Sequence, residues 1–156
     1  MTRWMRVSVF VAVSAMLLGT GLIAKPAQAG FGKAGVVVVH GDGTVETECV
    51  RLTKAQISGF KLLKLSSFEF TAARFDFGRA VCWLDGEGVN TSDPGQCFPS
   101  SGPNWAYFTQ EKGGAPASSD IGPDERRVTR GDVDYWVFGQ FPQPTPATLT
   151  QREICT

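Results

Sequence analysis

Histidine is almost absent from this sequence, which has one, His40, among 156 residues. No two of the four cysteines stand in a Cys-x-x-Cys pair. The ligand sets of structural zinc sites are therefore missing, and no metal site and no cofactor are expected. A Gly-x-Ser-x-Gly nucleophile elbow is missing too, so His40 beside Asp42 has no motif-placed serine to activate. We expect His40 to be an ordinary residue at a hairpin edge.

Paired carboxylates give only a weak indication of catalysis. Asp132 and Asp134 alternate along one predicted strand and share a face. Glycosidases use a pair of carboxylates of this type. A chain of this length with one predicted helix leaves little room for a sugar cleft. The sequence therefore predicts a protein that is not an enzyme.

A surplus of basic residues is also missing. Residues 1–29 hold three of the 15 Lys and Arg residues, which leaves 12 against 15 Asp and Glu residues, a net charge of −3. Nucleic-acid binding requires a basic surface, so no nucleic-acid partner is expected. The local cluster of Arg126, Arg127 and Arg130 is surrounded by acidic residues and is predicted to be a solvated turn.

Long apolar runs are confined to the N-terminus. Arg3 and Arg6 precede an apolar stretch over residues 7–23, and Ala27-Gln28-Ala29 fits the small-x-small cleavage pattern. These three features predict a secretory signal peptide over residues 1–29, in preference to a membrane anchor. The mature chain is then expected to be secreted, extracytoplasmic and not membrane-spanning.

Four cysteines, an even number, follow the predicted signal peptide. In an exported chain this favours two disulfides, and sequence alone does not choose among the three pairings. We favour Cys82–Cys97 and Cys49–Cys155. Their loops of about 15 and about 100 residues correspond to roughly 3 and 4.7 kcal/mol of loop-entropy stabilisation. The second bridge would tie a Pro-rich tail over residues 142–156 back onto a single domain over residues 30–141.

The remaining pattern is mostly β. The β-branched run Val36 to Val39, then Asp42-Gly43, then alternation over residues 45–49 predicts a hairpin. Four further segments have strand character: Phe68 to Phe70, Ala80 to Leu84, Trp105 to Thr109 and Val133 to Gly139.

One segment, residues 52–67, has helical character. Thr53 and Gln56 fit a capping box, and Ile57, Phe60 and Leu63 are expected to face the core. Gly59 weakens a helix but allows close approach to a sheet. One main helix among several strands predicts an α+β domain, a small β-grasp-like sheet stapled by disulfides.

The segments GDGTVETECV, ISGFKLLKLS, AVCWLDGEG and GDVDYWVFG, over roughly Val36 to Gly139, resemble a family of exported bacterial domains. These are similar to the C-terminal, β-grasp-like domain of the vitamin B12 carriers transcobalamin and intrinsic factor. Asp85-Gly86, Trp105-Ala106-Tyr107, and Gly131-Asp132 with Trp136 match its turn and aromatic motifs. The resemblance implies a non-enzymatic extracellular module that presents a face to a small molecule, such as a corrinoid, or to a protein. The large helical partner domain of the B12 carriers has no counterpart here.

The aromatic residues are either core or an exposed platform for a ligand. Because Tyr135 and Trp136 alternate along a strand, they must point to opposite faces. The expected function is a secreted module that binds a small cofactor-like ligand; the alternative is a structural or protein–protein interaction domain at the cell surface. The candidate ligand-binding residues are Trp83, Asp85, Trp105, Tyr107 and Trp136.

The loop from Asp85 to Asp93 also offers several oxygen ligands. Its fifth and sixth positions are Val89 and Asn90, where an EF-hand requires an oxygen ligand and Gly. We expect an ordinary stapled turn here and not a calcium site.

Overall fold

The computed structural model describes residues 30–156, and the predicted signal peptide over residues 1–29 lies outside this part. Within it, none of the helices has the length and apolar character needed to cross a bilayer. The strands are β1 Lys33–Val39, β2 Val45–Arg51, β3 Ile57–Ser58, β4 Phe70–Phe75, β5 Gly78–Leu84, β6 Glu87–Gly88, β7 Asn104–Gln110, β8 Ala117–Ser118, β9 Arg127–Val128 and β10 Val133–Gly139. The helices are α1 Gly59–Leu65, α2 Pro94–Cys97 and α3 Gln151–Ile154.

A five-stranded mixed sheet in the order β2-β1-β10-β7-β8 forms the body of the domain. Strands β1 and β10 run parallel, β2 pairs antiparallel to β1, β7 pairs antiparallel to β10, and β8 pairs antiparallel to β7. Val36, Val37 and Val38 are all buried. A continuous apolar run of this kind is typical of a strand that is covered on both faces.

The predicted hairpin is confirmed. Strands β1 and β2 pair from Lys33 with Arg51 to Val39 with Val45, and the His40 amide donates to the Thr44 carbonyl at 2.8 Å. Gly43 has a φ of 88°, a conformation that glycine adopts without steric cost. The hairpin fixes His40 and Glu46 close together at one end of the sheet.

The helix begins later than the sequence predicts. Its N-cap is Ser58, whose hydroxyl accepts a hydrogen bond from the Lys61 amide at 3.2 Å, so the expected capping box of Thr53 and Gln56 is wrong. Ile57 belongs instead to β3, which pairs with β9. The expected core contacts are correct, because the side chains of Ile57, Phe60 and Leu63 are buried.

Both faces of the main sheet are covered. On one face Trp136 packs with the buried leucines of α1 and with residues of β5. On the other face Tyr135 packs against Leu149 and Ile154 of the C-terminal tail. The tail is held by the disulfide between Cys49 and Cys155. The opposed directions of Tyr135 and Trp136 are therefore compatible with complete burial of both rings.

A second, three-stranded sheet, β4-β5-β6, packs against the first. The disulfide between Cys82 and Cys97 joins β5 to α2, and both sulfurs lie in a small cluster with Ala73. The favoured disulfide pairing is thus the one observed. The domain is α+β, mostly sheet, as predicted, and two disulfides are typical of proteins in oxidising compartments.

Candidate functional site: an aromatic cavity between the two sheets

A cavity of about 460 Å³ opens beside strand β7. Its walls come from β5, from β7 and β10, and from the segment after β8. The size lies within the range of small-molecule sites in proteins. The lining residues are Phe77, Arg79, Ala80, Val81, Trp105, Ala106, Tyr107, Ser118, Ser119, Asp120, Ile121, Gly122, Pro123, Glu125 and Trp136.

Three aromatic side chains form one wall because strand alternation points them the same way. Trp105 and Tyr107 lie two residues apart on β7, and Trp136 lies opposite Tyr107 on β10. The Tyr107 and Trp136 rings are 5.0 Å apart, and the Trp105 indole N–H donates to the Glu87 carbonyl at 3.2 Å. The rings are therefore held in place without a ligand, which lowers the ordering cost of binding.

The opposite wall is polar and carries one fixed cation. The Arg79 guanidinium donates to both oxygens of Asp124, and its central carbon lies 3.7 Å from the centre of the Phe60 ring. These hydrogen bonds lower the pKa of Asp124 and raise that of Arg79. Among the described residues, Asp120 and Glu125 have no ion-pair partner. With Arg79 neutralised by Asp124, the rim has an acidic surplus.

A buried polar network lies behind the aromatic wall. The Tyr107 hydroxyl donates to Asp134 at 2.5 Å, and the Arg126 Nε lies 3.5 Å from the other Asp134 oxygen. Arg126 also donates to Asp132 at 3.2 Å. Burial raises the pKa of Asp134 to about 6, although the Tyr107 hydrogen bond and the Arg126 charge act in the opposite direction. Burial, together with the charge of Asp134, raises the pKa of Tyr107.

The network corrects one expectation. Arg126 is not in a solvated turn: its side chain is 10% exposed and is paired with two buried carboxylates, Asp132 and Asp134. Arg127 and Arg130 are exposed, as expected. The acidic neighbours that suggested a solvated turn are in part the partners of the buried guanidinium.

The cavity brings together three of the five predicted ligand-binding residues, Trp105, Tyr107 and Trp136. Trp83 is half-buried on β5 and does not line the cavity. Asp85 directly follows the C-terminal end of β5, next to His40, whereas the cavity is lined by residues near the N-terminal end of β5. Sequence patterns gave no indication of Ile121 or of the segment around it, since that segment has no regular structure.

The loop after β5 does not gather its oxygen ligands around one point. Asp85 and Glu87 face His40, whereas Asp93 caps α2 by accepting from the Gly95 amide at 2.9 Å. The carboxylates of this loop therefore belong to two separate groups, and His40 is not an isolated edge residue.

Comparisons with known proteins do not identify a family. No family model matches the chain, and no curated protein matches it. Among solved structures, the chain matches a proposed metal-binding protein of Ruminococcus gnavus ATCC 29149, with a TM-score of 0.49 and 20% identity over 69% of this chain and 95% of that chain. At this level of similarity, no function passes from that protein to this chain.

Proposed function

We propose that this protein is a secreted, non-enzymatic binding module whose ligand occupies the aromatic cavity. The observation that carries the proposal is the convergence of Trp105, Tyr107 and Trp136 on one preformed wall of a cavity of about 460 Å³. Secretion is supported by the signal-peptide pattern of residues 1–29 and by the two disulfides.

The lining indicates the chemistry of the ligand. A flat, partly apolar body would lie against Tyr107 and the edge of Trp105, with the buried Trp136 ring behind them. Asp120 and Glu125 at the rim would favour hydrogen-bond donors or a positive charge on its outer edge. A cofactor-like ring system with amide or amine substituents fits both requirements. The Arg79–Asp124 pair supplies a fixed polar side without excess charge.

We also propose, from the resemblance to the transcobalamin domain, that the sheet is β-grasp-like and that the ligand is corrinoid-like. A parallel central pair of strands with antiparallel neighbours and one main helix against the sheet supports this assignment. A cavity of this volume would accept part of a corrinoid and leave the rest exposed. A second protein would then cover the exposed side, since residues 30–156 form no large helical domain.

The test is equilibrium binding of the oxidised chain, residues 30–156, to a panel that includes cobalamin and cobinamide, by titration calorimetry. Ser119→Phe would place a ring at the edge of the cavity, because Ser119 lines the cavity and its amide donates to the Tyr107 carbonyl at 3.0 Å. It should abolish binding, and Ser100→Phe, on an exposed loop outside the cavity, should not. Failure of the whole panel to bind, or equal effects of the two variants, would reject the proposal.

A protein partner is the second candidate, supported by an aromatic cluster of Phe75, Phe77 and Phe98 that shares only Phe77 with the cavity. The rings of Phe75 and Phe77 stack at 4.9 Å, and those of Phe75 and Phe98 lie 5.3 Å apart. Phe77 is 62% exposed and Phe98 is 39% exposed. Because Phe98 does not line the cavity, Phe98→Ala separates the candidates: it should weaken a partner complex and leave small-ligand binding unchanged.

A further inference from the structure

Four side chains converge at the hairpin end of the main sheet, away from the aromatic cavity. His40 follows β1, Glu46 lies on β2, and Asp85 and Glu87 lie at the turn between β5 and β6. The imidazole Nδ1 is 3.0 Å from Glu87, and Nε2 is 3.5 Å from Glu46 and 3.6 Å from Asp85. His40, Glu46 and Asp85 each place one ligand atom within 4.8 Å of the others.

The hydrogen bond to Glu87 determines the state of the ring. A carboxylate only accepts hydrogen bonds, so Nδ1 carries the proton and donates it to Glu87. The Glu87 carboxylate is itself held by the Gly41 amide, which lies 3.1 and 3.2 Å from its two oxygens. In the neutral ring, Nε2 therefore presents a lone pair toward Glu46 and Asp85.

That lone pair is unsatisfied in the fold. Nε2 is buried and has no hydrogen-bond partner among residues 30–156, and the His40 side chain is 11% exposed. A buried acceptor without a partner, aimed at two carboxylates, is unfavourable. A cation between the three groups removes the conflict, and the alternatives are a proton on Nε2 or a metal ion.

The two distances from Nε2 suit a metal ion, and the three ligand atoms lie within 4.8 Å of one another. Two ligand atoms bound at 2.0–2.1 Å to a tetrahedral zinc ion are about 3.4 Å apart. The observed separations from Nε2, 3.5 and 3.6 Å, are close to this value. A mixed nitrogen and oxygen ligand set favours zinc or a neighbouring transition metal, whereas calcium and magnesium prefer oxygen ligands alone.

The backbone also fixes the direction of Asp85. Its φ is 47° and that of Gly86 is 96°, so the two residues form the two-residue turn that joins β5 to β6, a hairpin geometry that Asp-Gly favours. The turn that includes this residue places Asp85 and Glu87 on the same side, toward His40.

We infer that His40, Glu46 and Asp85 bind one divalent transition-metal ion, best matched by zinc, through Nε2 and one oxygen from each carboxylate, with water completing the shell. Glu87 is a positioning residue, since it orients the ring and fixes its tautomer as carboxylates behind metal-bound histidines do. The site does not depend on the cavity ligand proposed above.

The first measurement is a zinc titration of the tag-free chain, residues 30–156, against a competing chromophoric chelator near neutral pH. We expect one zinc ion per chain. The double variant Glu46→Gln/Asp85→Asn should abolish this binding, and Glu87→Gln should weaken it by about 10–100-fold. The control is Glu111→Gln/Asp76→Asn, which removes the same charge from exposed residues elsewhere and should leave zinc affinity unchanged.

The second measurement separates a metal from a proton. Because the chain has a single histidine, its imidazole nitrogen signals in an NMR spectrum belong to His40 alone. Zinc should shift the Nε2 signal to that of a bound nitrogen while Nδ1 stays protonated. A ring that is doubly protonated at neutral pH and unaffected by zinc would overturn the inference. Zinc binding that is equal in both double variants would overturn it as well.

Discussion

Tyr107 and Asp134 are joined by a hydrogen bond of 2.5 Å between neighbouring strands. Asp134 is completely buried, and its pKa is raised to about 6 because burial disfavours the charged carboxylate more than Tyr107 and Arg126 favour it. The bond lies directly behind the wall of the aromatic cavity and beneath the first residue of α1, Gly59. The protonation of Asp134 is therefore linked to the stability of the fold around the site.

The first prediction concerns the dependence of stability on pH. Asp134 has a folded pKa of about 6 against a reference value of 3.8. Between these values the folded chain holds a proton that the unfolded chain releases, so the Asp134 contribution to the free energy of unfolding falls as pH rises. The fall amounts to roughly 3 kcal/mol and ends above the folded pKa. Urea denaturation between pH 4 and pH 8 measures it.

Asp134→Asn provides the reference curve for that experiment. Asp124, whose pKa is lowered by Arg79, contributes in the opposite direction at lower pH, since its stabilisation is lost as pH falls. This contribution is common to both proteins and cancels in the difference. The free energy of unfolding of the wild type minus that of Asp134→Asn should therefore decline from pH 4 to about pH 7 and then stay level. Parallel curves would contradict the assignment.

Gly59→Ala should destabilise the protein although alanine favours helices by about 1 kcal/mol. A Cβ at Gly59 would lie 2.1 Å from the Tyr107 hydroxyl oxygen and 2.6 Å from an Asp134 oxygen, so α1 would have to move away from the sheet. We expect a loss of roughly 1–3 kcal/mol, typical of overpacking, measured by chemical denaturation.

Gly122→Ala is the matched control, because a Cβ at Gly122 meets its nearest neighbour at 3.6 Å, an ordinary contact. Its effect should be small. An unchanged midpoint for Gly59→Ala would show that α1 is free to shift, and the close packing of α1 on the Tyr107–Asp134 bond would then not be required.

Local patterns were sufficient to predict the elements that depend on local chemistry. Asp42-Gly43 specified its hairpin through turn geometry, and Ile57, Phe60 and Leu63 indicated a buried face by their spacing. The start of α1 was misplaced because Thr53 and Gln56 also fit a cap. The structure instead has Ile57 in β3, because β3 pairs with β9, more than 60 residues further along the chain. This long-range pairing places the helix start at Ser58.

The same sequence patterns predicted only part of the candidate site. Alternation placed Trp105 and Tyr107 on one face, but not the segment around Ile121 that closes the cavity. The hydrogen bond from Tyr107 to Asp134 and the convergence of Asp85 on His40 both depend on tertiary pairing. Nothing in the local sequence specifies such contacts.

Arg126→Met should be among the most destabilising single substitutions in the chain. Arg126 is 10% exposed and faces the buried carboxylates of Asp132 and Asp134. Removing one partner of a buried ion pair leaves uncompensated charge and typically costs about 3–5 kcal/mol. The adjacent Arg127→Met, at an exposed position, should change the unfolding free energy by less than about 1 kcal/mol. Equal effects of the two variants in urea denaturation would reject the buried network.

The last prediction concerns the C-terminal tail. The disulfide between Cys49 and Cys155 closes a loop with a sequence separation of 106 and holds Leu149 against the buried Tyr135. Replacing both cysteines by alanine should lower stability by up to about 4.7 kcal/mol. The Leu149 amide, which donates to the Tyr135 hydroxyl at 3.1 Å, should then exchange its hydrogen by local opening of the tail.

Hydrogen exchange distinguishes this local effect from a general loss of stability. The Cys82→Ala/Cys97→Ala variant opens a loop with a sequence separation of 15, and it should cost about 3 kcal/mol while Leu149 remains as protected as the rest of the sheet. If Leu149 loses protection only together with the β10 amides in both variants, the tail opens only with the whole domain. The tail would then be an integral layer of the core, held by Leu149 and Ile154 even without its disulfide.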